Sequence, residues 1–187
     1  MENIDNSAVY WLAGAGALII YLILTYNRGV SLRNYVQEAF ATMDVYLKKR
    51  WDLVPNLIEI VKNYAKHEKT LLEDLTKLRT KSYSELSDAE KLETNTQLGQ
   101  QLSKIVAVAE NYPDLKANQS YMLLMQQMSA VEEDIANARK YYNGTVREFN
   151  TFLDIFPTNI IGKLFGWQRS KMFEIENEQR ENVKVEV

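Results

Sequence analysis

The 187-residue sequence contains no cysteine. That excludes disulfides, thiolate metal sites, thiol nucleophiles and any lipid attached through a cysteine side chain. Histidine occurs once, as His67 beside Glu68. Adjacent helical residues point about 100° apart, and no HExxH spacing completes a metal centre, so His67 reads as a helix-surface residue near Tyr64 and Leu71. GxxxxGK[ST], GxGxxG and GxSxG are all missing, and with them the common phosphate-cradling, dinucleotide and acyl-transfer signatures. No cofactor, metal or small-molecule substrate is expected, nor an enzyme. Seven glycines and three prolines are few for this length, which points to helices with short connections. Excess positive charge is also lacking. A net charge of −3 and a pI near 5.4 argue against a phosphate-tracking surface, so nucleic acid is not an expected partner.

What is abundant is apolar helix former. Ala8 to Tyr26, AVYWLAGAGALIIYLILTY, is 19 residues without a charge. At 1.5 Å per residue this is roughly 28 Å, close to a bilayer's hydrocarbon thickness. Tyr10, Trp11 and Tyr26 sit near its ends, where interfacial aromatics belong. A cleaved signal peptide fits less well. The leading flank carries Glu2 and Asp5, the Ala-Gly-Ala-Gly-Ala run lies inside the apolar stretch, and that stretch exceeds a signal core. Residues 8–27 therefore read as a transmembrane anchor after a short tail, 1–7, and membrane lipid is a partner. Arg28, Arg33, Lys48, Lys49 and Arg50 follow the span, so the positive-inside rule puts the body in the cytoplasm and the amino terminus outside. Ala13 and Ala17, four apart, suit close approach of two such helices.

The body, 28–157, shows helical periodicity nearly throughout. Leu47, Trp51, Val54, Ile58, Val61 and Ala65 recur in steps of three and four and resume at Leu72 and Leu75. The phase is unbroken across Pro55, although a mid-helix proline costs about 3 kcal/mol. This predicts two nearly collinear segments meeting around Asp52, which would cap the second, with a kink between Arg50 and Asn56. The bent stretch, ending near residues 82–88, is expected to supply two rods of a bundle. A helix over about 87–111 follows, capped by Ser87, and Tyr112-Pro113-Asp114 is a compact break. Tyr121, Leu124, Met128, Val131, Ile135, Ala138, Tyr142, Thr145, Phe149, Phe152 and Phe156 then keep three-four spacing. With no strand pattern, the fold class is all-α: one transmembrane helix followed by an antiparallel, four-helix-like bundle of long helices kinked near Pro55. Residues 158–169, TNIIGKLFGW and its flank, form a short amphipathic helix, and 170–187 a charged tail.

Several polar residues share the apolar register: Asp44 and Glu68, Glu132 and Arg139 seven apart, and Asn143 and Asn150 seven apart. Buried polar residues in bundles usually fix register, while a surface groove lined by them is the functional alternative. Two Glu-x-x-His motifs, which a di-metal carboxylate bundle needs, are absent. Ile160, Leu164, Phe165 and Trp167, beside Lys163 and Arg169, are the candidate interaction residues of the short helix. They suit either packing across the bundle end or contact with a membrane surface or partner.

VQEAFATMDVYLKKRWDLVPNLIEIVKNYAKHE (Val36 to Glu68), PDLKANQSY, YNGTVREFN and FPTNIIGKLFG resemble the LemA family in order and spacing, across nearly the whole chain. The resemblance extends to Asp44, Arg50, Asp52, Asn56, Glu132, Arg139, Asn143 and Asn150, adding Arg50 to the polar set. It implies an amino-terminal anchor followed by an antiparallel helical bundle. It supplies no established activity. A lipid-attached cysteine, found in some relatives, has no counterpart here. The function expected is a non-enzymatic, membrane-anchored scaffold or adaptor that forms homo-oligomers or docks on another membrane protein. An accessory regulator of a membrane protease is the alternative, since family genes often neighbour such proteases.

Overall fold

The computed structural model describes residues 6–173. Among the described residues there are six α-helices: α1 (Asn6–Tyr64), α2 (Lys69–Lys77), α3 (Asp88–Ala109), α4 (Pro113–Lys116), α5 (Gln119–Asp154) and α6 (Thr158–Leu164). No strand occurs among the described residues. The contacts divide into two compact units. One is Ala41–Lys140; the other joins the residues up to Phe40 with those from Tyr141 onward.

Helix α1 is 59 residues long and carries Pro55 inside it. It continues through the proline instead of ending and restarting, and Asp52 pairs with Lys48 one turn back and caps nothing. The missing amide removes one i→i−4 bond. Val54, Leu57 and Val61, each fully buried, hold the helix against its neighbours on both sides of that defect. The buried positions Leu32, Val36, Ala39, Met43, Leu47, Arg50, Val54, Leu57 and Val61 follow three-four spacing along the helix. Upstream the pattern differs. Trp11 (80% exposed), Leu12, Ile20 and Leu24 point outward on a stretch long and apolar enough to cross a membrane.

In the unit Ala41–Lys140, the reversal comes at Ala65–Glu68, not at Pro55. Glu68 N–H donates to the Ala65 carbonyl at 3.1 Å, and α2 starts in the next residue. His67 therefore lies on an exposed turn, not on a helix surface. The chain runs back along α1. The Arg79 guanidinium stacks over the Trp51 ring at 5.1 Å, and the Tyr83 hydroxyl, in a short 3₁₀ turn, donates to Asp44 Oδ1 at 2.6 Å. Ser87 caps α3 through a reciprocal box with Glu90. Lys81 and the Ser87 donors hold the Glu90 carboxyl down at about 2. Helix α3 runs alongside α1 in the same sense: Lys91 meets Asp44 at 3.0 Å, and the Tyr112 hydroxyl reaches Glu68 Oε1 at 3.4 Å. After the single turn of α4, Asn118 Oδ1 accepts from Tyr121 N–H at 3.0 Å and its Nδ2 donates to the Tyr64 hydroxyl at 2.9 Å. Helix α5 thus starts beside the end of α1 and descends. The result is an up-down-up-down four-helix bundle whose core includes Leu57, Leu75, Leu98, Ile105, Leu115 and Met128.

The second unit packs Leu32, Val36 and Ala39 of α1 with Tyr142, Val146, Phe149 and Phe152 of α5. Phe40 meets Tyr142 edge-on at 5.8 Å. Val146 is fully buried, so it takes the core position that spacing alone assigns to Thr145, and Phe156, placed in the same row, is 79% exposed. Thr158 Oγ1 turns the chain into α6 by donating to the Phe152 and Ile155 carbonyls. Helix α6 stops at Leu164, shorter than residues 158–169. Gly166 has φ +65°, a left-handed value that glycine adopts without a Cβ penalty, and Trp167 N–H then closes on the Gly162 carbonyl at 2.9 Å.

Candidate functional site

The polar residues singled out by register fall in two separate places. Within Ala41–Lys140 the centre is Arg50. Its side chain is 2% exposed, at a position where the neighbouring turns of α1 carry Leu47 and Val54. Nη1 lies 2.9 Å from Glu132 Oε1 on α5, and Nη2 donates to the Asn95 carbonyl on α3 at 3.2 Å. Gly99 makes this approach possible. A Cβ there would stand 2.7 Å from Arg50 Nη2. Burial pulls the Arg50 pKa down; Glu132 opposes the shift and nearby Arg139 adds to it. Arg139, partly buried, is lowered by its own burial against the pull of Glu132. Both guanidiniums stay charged at any working pH. The arrangement is asymmetric, since the Glu132 side chain is 45% exposed and reaches water while Arg50 does not.

Asp44 and Glu68 lie away from that centre. Asp44, half-buried, accepts from Tyr83 and Lys91. Burial, reinforced by the bond to Asp44, pushes the Tyr83 hydroxyl well above its ordinary pKa, so it remains a donor. Glu68 sits at the α1–α2 turn under Tyr112. Among the described residues no group of three or more His, Cys, Asp and Glu side chains is placed to hold a metal ion. The Arg50 guanidinium, the half-exposed Glu132 carboxylate and the Asn95 carbonyl thus tie α1, α5 and α3 together at one level.

Asn143 and Asn150 do something different. Asn150 Oδ1 accepts from Ser170 N–H and its Nδ2 donates to the Ser170 carbonyl, both at 2.9 Å. Asn143 repeats the pattern on Phe173, at 2.8 and 2.9 Å. Seven residues of helix rise about 10.5 Å, and three of extended chain about 10 Å, so the two amides match the spacing of an extended segment lying along α5. Tyr142 donates to the Lys171 carbonyl between them at 2.9 Å. Each bond goes to main chain. Phe173, 5% exposed, is the one deeply buried side chain among residues 170–173.

The candidate interaction residues divide. Trp167 turns inward onto α1, where Gly29 leaves room: a Cβ on Gly29 would lie 2.1 Å from the indole. Its ring also stacks on Tyr26 at 5.6 Å, and Phe165 lies 4.6 Å from Tyr26. Ile160 (57% exposed), Leu164 (78%) and Phe165 (50%) point outward. Ala13 and Ala17 are exposed on α1. Sequence reasoning missed Gly29, Asn95 and Gly99. The two glycines inside otherwise helical patterns were the available signal, because such a glycine usually marks a close approach.

Two outcomes follow. Glu132→Ala strands a buried cation and should cost about 3 kcal/mol, whereas Arg50→Met leaves a carboxylate that can hydrate and should cost distinctly less. Denaturant midpoints of the two variants measure this, and equal losses would contradict the asymmetry. Asn143→Ala with Asn150→Ala should free the extended segment and speed tryptic cleavage after Arg169 and Lys171, read by mass spectrometry, while the helical circular dichroism is retained.

Comparison with known proteins places these motifs. The model of the LemA family matches residues 39–187. The magnetosome protein MamQ 2 of Paramagnetospirillum magneticum is 23% identical over 184 residues, covering 84% of this chain and 68% of that one. MamQ of Magnetospirillum gryphiswaldense is 21% identical over 183 residues, with 84% and 67% covered. Protein LemA of Metamycoplasma hominis is 23% identical over 168 residues, 88% of this chain and 77% of its own. With the family model spanning the bundle, the α5 amides and the segment they hold, this chain belongs to the LemA family.

Proposed function

We propose that the protein is a non-enzymatic, membrane-anchored helical scaffold or adaptor that self-associates or docks on another membrane protein. The observation that carries the reading is the apolar surface of the unit containing the start of α1. Its outward residues run from Val9 to Leu24, and Tyr26 at the end of that run touches Phe165, beside which Ile160 and Leu164 are also exposed. A span with an aromatic, partly basic short helix at its end suits a bilayer crossing with α6 at the headgroup level. Similarity to proteins named magnetosome protein and LemA agrees with membrane association. Arg28 and Arg33 follow the span, which favours a cytoplasmic body. Arg50 is buried in the bundle and gives little weight to that assignment.

The exposed Ala13–Ala17 face is the proposed site of helix association in the bilayer. The test is the mass of full-length protein extracted in mild detergent, against 21.7 kDa for one chain. A defined multiple, reduced by Ala13→Leu with Ala17→Leu, is expected. A monomer that also recovers no partner on crosslinking in membranes would overturn the reading.

A further inference from the structure

At the α1–α2 turn lies a groove of about 680 Å³ with an apolar floor, Ile58 and Leu72, and a rim of Lys62, Lys66, Lys69 and Lys77. Four lysines around one depression are unexpected on a chain of net charge −3. One acid, Glu73, shares the lining. Lys69 reaches it only at 3.7 Å, and Lys77 meets Asp74 at 3.3 Å, both on exposed side chains, where such pairs contribute little. Lys62 and Lys66 have no acidic partner among the described residues. The groove therefore suits a ligand that is anionic at its edges and apolar at its centre.

The chain itself contains a segment that combines acidic and apolar side chains. Residues 174–187, EIENEQRENVKVEV, carry five glutamates against Arg180 and Lys184, with Ile175, Val183, Val185 and Val187 interspersed. The segment begins from a fixed point, because Asn143 grips the Phe173 main chain at both its N–H and its carbonyl.

We propose that the lysine-rimmed groove docks the acidic segment 174–187 of a second copy of this chain. This rests on the self-association proposed above and adds a second contact to it. Such a contact is heterologous: groove on one copy, segment on the next. Repeated, it closes into a ring or extends into a row according to the rotation between copies, and exchanged reciprocally it closes a dimer. Two copies anchored in one membrane are also held at high effective concentration, so a contact weak in solution becomes occupied.

The experiment uses full-length protein in liposomes, mixed equally from ¹⁵N-labelled and unlabelled copies and treated with a zero-length carbodiimide. Amide links should join Lys62 or Lys66 to Glu174, Glu176 or Glu178, and heavy–light hybrids should appear among them. Lys62→Glu with Lys66→Glu should lower their yield about tenfold, as loss of rim charge complementarity would. Adding Glu176→Lys and Glu178→Lys should restore linkage with the charges exchanged. Raising salt to about 1 M, where screening acts within about 3 Å, should lower the wild-type yield. Absence of the links, or links only within one copy, overturns the proposal. So does binding of the groove to phosphatidylserine vesicles that Lys62→Glu with Lys66→Glu abolishes while no hybrid links form. An oligomer without these links would leave the scaffold reading standing and remove only this contact.

Discussion

Moving the Arg50 guanidinium out of water costs several kcal/mol even after local relaxation. In the bundle of Ala41–Lys140 three features offset that cost. Glu132 on α5 supplies charge, the Asn95 carbonyl on α3 supplies an acceptor, and Gly99 supplies space. Each comes from a different helix or turn, so sliding α3 or α5 by one turn relative to α1 would strand a buried charge. Leucine at the same position would bury more comfortably but tolerate several registers. The nearby Asn95 side chain is buried without a hydrogen bond on either amide atom. The constellation is therefore specific before it is strong.

The other unit is organised by close backbone approach. Gly29 lets the Trp167 indole lie on α1, and the Asn143 and Asn150 amides hold an extended segment by its main chain. Both devices fix segments that have little periodicity of their own. What they position is the exposed edge of α6 beside Tyr26, where the apolar run of α1 ends.

Much of this was legible in the sequence because it is local. The uncharged run Ala8–Tyr26, the three-four spacing of α5 and the Ser87 cap each follow from a few neighbouring residues. The reversal at Ala65–Glu68 was not legible. It contains neither proline nor glycine, and Ala65 and Leu72 stay in phase across it. Pro55, the stronger local signal, drew the break to itself, yet packing on both sides carries the helix through. The seven-residue spacing groups Asn143 with Asn150 on one face but gives no hint of what they hold, because the extended segment Ser170–Phe173 has no pattern of its own. Thr145 was placed in the core by counting, and Val146 took the position, since a fully apolar neighbour one residue away wins whenever a helix rotates slightly.

The anchoring of α1 with α6 at the bilayer surface is tested most directly by depth. The absence of cysteine allows single spin labels at Ile20, Leu164 and Gln127 in protein reconstituted into vesicles, with oxygen and a polar nickel complex as relaxants. The expected result is an oxygen-rich hydrocarbon environment for Ile20, a headgroup-level one for Leu164 and a fully aqueous one for Gln127. Equal nickel access at all three positions would contradict it.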